Sequence, residues 1–203
     1  INEHFGFYDY LLRVFWDKTP QLYQHIVIYF TKLPILCFVN IFLKNNQKAK
    51  VMVVHGGIPI DPEEPERPVN IEKIEEHLHS EESLTENMDP LTISMLWSDP
   101  DERIEKILPG NLNNGRLKFG GTLLHDFMTL NEIDLIVRGH QKWKQGYHIF
   151  FEKIYSLFST STYDGKTQFN PKFLRLQYGK PPKLINITER DLEKEMNEFL
   201  AQN

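Results

Sequence analysis

Apolar residues recur at helical spacing in two adjacent stretches, 6–16 (GFYDYLLRVFW) and 20–30 (PQLYQHIVIYF). Both predict helices. Pro20 suits a first helical turn, Thr19 is the candidate N-cap, and Leu33-Pro34 ends the pair. The pattern then shortens to the continuous apolar runs of strands, at 35–43 (ILCFVNIFL) and 50–54 (KVMVV), with polar Lys44–Lys48 between them as a hairpin loop. Pro59, Pro62, Pro65 and Pro68 make 59–70 an extended loop, and Asn70 is placed to cap a short helix from Ile71 to His79. Residues 80–94 are acidic and weakly patterned, Trp97-Ser98-Asp99-Pro100 has the chemistry of a turn, and 107–118 reads as an irregular loop. Helical spacing returns over about 120–131. Strands are predicted at 134–138, 147–151, 154–159, 171–177 and 183–187. Thr188 and Asp191 resemble a capping box that opens a last helix, striped by Leu192, Met196, Phe199 and Leu200.

With 203 residues, 40% of them apolar, the chain has enough material for one domain with a real core. A net charge of −5 gives no electrostatic footprint for nucleic acid, and no run approaches the length of a membrane span. No signal peptide is expected. The single cysteine, Cys37, excludes an internal disulfide framework and fits a cytoplasmic or other reducing intracellular compartment.

Two features carry chemistry. The run Val51–Val54 ends in His55-Gly56-Gly57, and the run Leu135–Val137 leads through Arg138-Gly139 to His140. A strand that buries its body and ends in His presents an imidazole at the mouth of a sheet, and two such strands can aim two imidazoles at one point. A His at a strand end also serves as a hydrogen-bonded structural residue, so this pattern alone leaves both readings open.

With the elements in order, the motifs form a series: Gly6-Phe7-Tyr8-Asp9, Leu33-Pro34, His55-Gly56-Gly57-Ile58, Leu96-Trp97-Ser98-Asp99-Pro100, Phe119-Gly120, Arg138-Gly139-His140-Gln141 and Leu157-Phe158-Ser159 with Tyr163. This series resembles the C-terminal two thirds of the phosphoprotein phosphatases, the family of the type 1, type 2A and calcineurin serine/threonine phosphatases, over residues 2–176. The resemblance implies an α+β fold: a metallophosphoesterase-like β-sandwich of mixed sheets flanked by helices, incomplete at its N-terminal side. Residues 1–187 would be the C-terminal part of the catalytic domain, and 188–203 a C-terminal helix outside the resemblance. It implies hydrolysis of phosphoserine or phosphothreonine by water activated between two divalent metal ions (manganese, or iron and zinc). A phosphoprotein substrate and regulatory subunits would be the partners, with no nucleic acid and no membrane.

By resemblance, His55 and His140 are ligands of the second metal. Asp99 lies behind the metal ligands or on the rim of the site, though Ser-Asp-Pro is also simply a good turn, and Trp97 is core support. Arg138, expected to share the face of His140 by strand alternation, is a charge that supports the ligands from behind rather than a substrate clamp. The family's phosphate-gripping Arg-Gly aligns here with Asn113-Asn114, so Arg116 is the candidate clamp if the loop shifts, and a solvated loop residue if it does not. Tyr163 borders the catalytic groove, although Thr160-Ser161-Thr162 replaces the usual Ala-Pro-Asn before it. No Gly-Asp-x-His, Gly-Asp-x-x-Asp-Arg or Gly-Asn-His-Glu occurs in the 203 residues. The first metal's ligands, the bridging carboxylate and the general acid are therefore missing. This leads to the expectation of a fragment that is inactive alone. A non-catalytic phosphatase-like domain that binds a partner or phosphopeptide is the alternative. A nucleotide-directed phosphoesterase is a third reading, opposed by the Trp-Ser-Asp-Pro motif.

Overall fold

The computed structural model describes residues 6–30, 32–42, 47–72, 74, 89–108, 117–163 and 165–200. The first helical stretch forms α1 (Phe7–Phe15), and a 3-10 turn at Trp16–Lys18 leads into α2 (Thr19–Phe30). Thr19 is not the N-cap expected of it. It lies inside α2, fully buried, and its hydroxyl donates to the Leu11 carbonyl at 3.0 Å, so the tertiary contact between the helices takes the side chain from the local one.

The apolar runs become β1 (Leu36–Phe42) and β2 (Lys48–Val54), an antiparallel pair. Most of the expected 71–79 helix lies outside the described residues, but the Asn70 side chain does accept the Glu72 N–H at 3.0 Å. A helix unforeseen in the acidic 80–94 stretch follows, α3 (Pro90–Trp97). The Asp89 carboxylate caps it by accepting from Thr92 N at 3.0 Å, and Pro90 occupies the first turn, where its missing N–H costs nothing. Asp99–Pro100 (β3) is not a turn but a short strand, parallel to β5 (Lys118–Phe119), which also pairs antiparallel with β4 (Ile107–Leu108). The remaining elements are α4 (Gly121–Leu130), β6 (Leu135–Arg138), β7 (Tyr147–Phe150), β8 (Ile154–Leu157), the β9–β10 pair (Lys172–Arg175 and Lys183–Asn186) and α5 (Glu189–Leu200). The N-cap half of the expected box at α5 is present: Thr188 Oγ1 accepts from Asp191 N at 3.1 Å.

The main sheet runs β1-β2-β6-β8-β7, with β2, β6 and β8 parallel and the outer pairs antiparallel. Its registers define rows across all five strands. The row Phe38, Met52, Ile136, Ile154, Phe150 faces the core. There it joins Met95 of α3 and Leu123, Leu124 and Phe127 of α4 in one cluster. The row on the opposite face is equally apolar: Cys37, Val53, Val137, Tyr155, Ile149. None of these five is buried; Cys37 is exposed, and so is Val53 at 37%. Large apolar side chains of α1 and α2 also face solvent, and so does Trp16 of the turn between them, 76% exposed. Among the described residues, no helix is long and apolar enough to cross a membrane.

One buried amide holds the base of the sheet to the loop after β2. Asn131 Oδ1 accepts from Ile71 N at 2.8 Å, while Nδ2 donates to Val69 O and Phe127 O, both at 2.9 Å. Asn131→Ala strips a partner from the buried Ile71 N–H and from the Val69 carbonyl, while the Phe127 carbonyl keeps the residue-131 N–H. The expected cost is about 3 kcal/mol, read as a lowered urea midpoint with an unchanged slope.

Candidate functional site

β2 and β6 are parallel neighbours, so their C-terminal ends emerge side by side and carry His55 and Gly139-His140 to the same edge of the sheet. The pairing continues one step past the strands, with Gly139 N donating to His55 O at 3.1 Å. The two imidazoles meet with ring centroids 5.2 Å apart and planes at 73°, and Trp97 stands edge-on to His140 at 5.3 Å. His140 takes a left-handed backbone, with φ of 66°. Strand alternation therefore stops at Arg138, where β6 ends, and it cannot relate Arg138 to His140 as the sequence reading assumed.

The glycines after His55 are required by close approach. A Cβ on Gly56 would lie 2.4 Å from the Leu96 carbonyl carbon, and one on Gly57 would lie 2.5 Å from Ser98 Oγ. Their N–H groups both donate to Met95 O, at 2.8 and 3.2 Å, which seats the strand end on the last turn of α3. That seating brings Asp99 under the histidines.

Arg138 is the buried charge of the site, with a side chain 0% exposed. Its Nη2 donates to Asp99 Oδ1 at 2.8 Å and its Nη1 to Gln141 Oε1 at 2.7 Å, while among the described residues Nε has no partner. Burial lowers the guanidinium's affinity for its proton and Asp99 opposes that shift. Arg138 thus ties three segments together: β6, the strand after Trp97, and the residue following His140.

His55 titrates below its ordinary range. Burial is the main cause, the positive Arg138 adds to it, and Asp99 works against it. The His55 side chain nevertheless has an open edge to solvent. The neutral imidazole, the form that binds a metal, is thereby favoured. Two residues after Asp99, Asp101 is held well below the carboxylate range by a forked hydrogen bond to Arg103, at 2.8 and 2.7 Å, and by Lys118 at 3.2 Å.

The structure brings together four of the residues picked from the sequence: His55, His140, Asp99 and Arg138. Tyr163 stands 62% exposed, with Lys142 Nζ 4.9 Å from its ring centroid, so it sits beside the loop that carries His140. Arg116 lies outside the described residues. Gln141 was missed as a partner of Arg138, although it immediately follows His140. Two imidazoles this close suit a borderline divalent cation. Among the described residues no group of three or more His, Cys, Asp or Glu could hold one, so the donor set is partial.

Comparison with known proteins follows the same lines. The calcineurin-like phosphoesterase profile matches residues 2–143. A probable serine/threonine-protein phosphatase of Encephalitozoon cuniculi (strain GB-M1) is 32% identical over 168 residues, covering 81% of this chain and 32% of the relative. A solved protein serine/threonine phosphatase from Saccharomyces cerevisiae, described as similar to human phosphatase PP5, superposes with a TM-score of 0.65 at 20% identity. That match covers 93% of this chain and 57% of the other. The chain thus spans about a third of the curated relative's length and little more than half of the solved one's.

Two outcomes are expected. Asp99→Asn leaves Arg138 buried beside a neutral amide and costs about 3 kcal/mol in denaturant unfolding, whereas Asp99→Asn with Arg138→Met recovers most of that loss. Because the folded-state pKa of His55 is depressed, the unfolded chain takes up this proton first as pH falls below about 6.5. Stability contributed above that pH is lost on acidification, and His55→Asn narrows the difference between urea midpoints measured at about pH 7.5 and about pH 5.5.

Proposed function

This chain belongs to the calcineurin-like phosphoesterase family, and we propose that it is the C-terminal part of a serine/threonine protein phosphatase acting on phosphoserine or phosphothreonine. The observation that carries this reading is the convergence of His55 and His140 over the buried Arg138–Asp99 pair. With His55 and His140 holding one of two divalent ions, the ions would share the charge on the phosphoryl group and lower the pKa of the attacking water. Manganese, or iron with zinc, fits that role.

On this reading His55 and His140 bind one ion as neutral imidazoles. Arg138 does not touch substrate; it fixes Asp99 beneath the site and Gln141 beside it. Arg116 would grip the substrate phosphate and Tyr163 would border the groove. Residues 1–187 form the catalytic part and 188–203 an appended helix. The bridging carboxylate, the remaining ligands and the general acid would come from a block outside these 203 residues.

Three observations support that last point: the donor set is partial, the Asp- and Asn-His motifs are absent from the sequence, and the chain covers only part of its relatives' length. The apolar row Cys37–Val53–Val137–Tyr155–Ile149 is a fourth, because a face of this character is normally covered. The partial donor set equally favours a second reading, a non-catalytic phosphatase-like domain that binds a phosphorylated partner.

The deciding experiment assays phosphopeptide hydrolysis with excess manganese. The 203-residue chain alone is expected to turn over negligibly, since two cations are not held close together against their repulsion without a bridging carboxylate. Joined to an upstream block carrying Gly-Asp-x-His and Gly-Asn-His-Glu, it should gain metal-dependent activity. His55→Ala or His140→Ala should then remove at least about a hundredfold of it, the upper range for disturbing even the outer partners of a metal site. A joined protein that remains inert would favour the binding-domain reading. An active one indifferent to both substitutions would sink the site.

A further inference from the structure

His140 does not reach His55 by an ordinary strand end. Gln141 N donates to Gly139 O at 2.8 Å, an i to i+2 bond that closes a three-residue turn with His140 at its centre. With φ of 66°, this is a γ-turn of the rare positive-φ kind, strained for a residue bearing a Cβ. Strain of this sort persists only where the surroundings over-determine it.

The determinants are on the page. Gly139 is pinned at both ends of its backbone. Its N–H donates to His55 O at 3.1 Å, and its carbonyl accepts a second bond, from Ser156 Oγ at 3.3 Å. Ser156 lies in β8, opposite Arg138 on one side and His148 on the other, and is fully buried. Its hydroxyl in turn accepts from Trp143 Nε1 at 2.9 Å. Trp143 follows His140 by three residues and is itself clamped: its ring stacks on His148 at 4.6 Å and 21°, and meets Phe150 edge-on at 5.7 Å. A chain of directed bonds therefore runs from an anchored indole, through one buried hydroxyl, to the carbonyl that closes the His140 turn. The N–H of the same glycine then holds the backbone of His55.

We propose that Ser156 and Trp143 are a positioning pair that locks His140 in its strained turn and so sets the separation of the two imidazoles for a divalent cation. Neither residue ligates. Ser156 satisfies the free lone pair of the Gly139 carbonyl and is oriented to do so by the indole N–H, so the turn does not relax toward an extended strand end. The inference rests on the reading of His55 and His140 as a metal-binding pair.

The test titrates the full 203-residue chain with cobalt(II), following affinity by calorimetry, with His55→Ala/His140→Ala as the baseline. Amide hydrogen exchange at Gln141 is measured on the same proteins without metal. Ser156→Ala is expected to weaken cobalt binding by about tenfold, the scale of losing an outer partner of a metal site, and to speed exchange of the Gln141 amide. Ser156→Thr, which keeps the hydroxyl, should retain both properties. Trp143→Phe, which keeps the ring but removes the N–H, should move both in the same direction as Ser156→Ala by a smaller factor, and it decides the matter if Ser156→Ala does not fold. Variants that lower the melting temperature yet leave cobalt affinity and Gln141 exchange unchanged would overturn the proposal, showing that Ser156 merely packs. If the wild-type chain binds cobalt no better than the baseline, the two imidazoles do not hold the ion without the ligands proposed to lie outside these 203 residues. Gln141 exchange alone then upholds or rejects the positioning pair.

Discussion

The parallel pairing of β2 with β6 is the constraint on which everything at the site depends. Val51 to Val54 lie against Leu135 to Arg138, residues more than eighty positions away in sequence. Parallel strands cannot be joined by a tight turn, so the intervening chain must cross over, and α3, the small sheet β3-β5-β4 and α4 lie within that crossover. One consequence is compact packing over the core face. Another is that the same crossover delivers Asp99 to the strand ends, where Arg138 needs a counter-ion.

The buried guanidinium makes sense only in that setting. An isolated charge inside a sheet-and-helix core would be prohibitive, and even a paired one is a weak source of stability. What Arg138 offers is direction. Its fork binds Asp99 and Gln141 at once, coupling the segment after α3 to the loop after β6. Gly56 and Gly57 permit the same coupling from below, because only a residue without a side chain fits against Leu96 and Ser98 there. Local rules yield to tertiary ones at each of these points.

That division also marks what could be read from the sequence. Long periodic segments were legible: α1, α2, α4, α5 and the seven strands outside the small sheet lie close to where the pattern placed them. Two-residue strands carry no period, so β3, β4 and β5 were invisible, and Asp99-Pro100 looked like a turn. The α3 helix was obscured by the acidic run before it, although Asp89-Pro90 followed by an apolar stretch was a usable start signal. Thr19 went astray because a buried carbonyl on α1 outbid its own helix end. At the site, the motifs singled out His55, His140, Asp99 and Arg138, but not that Arg138 would pair with Asp99 and Gln141. The backbone twist at His140 had little local cause to read: Gly139 precedes it, but its other determinants sit on β8 and in the Trp143 loop.

That twist narrows which side chains can ever occupy position 140. A positive φ is easy for glycine but strains any residue with a Cβ, and more so in a γ-turn than in the left-handed helical region that asparagine and aspartate visit. Cysteine and glutamate, both able to donate to a cation elsewhere, meet a steric toll at this point before any question of coordination arises. The fold therefore screens the chemistry open to this corner: any side chain at 140 must bear the strain of the turn, or else the loop after β6 must be rebuilt.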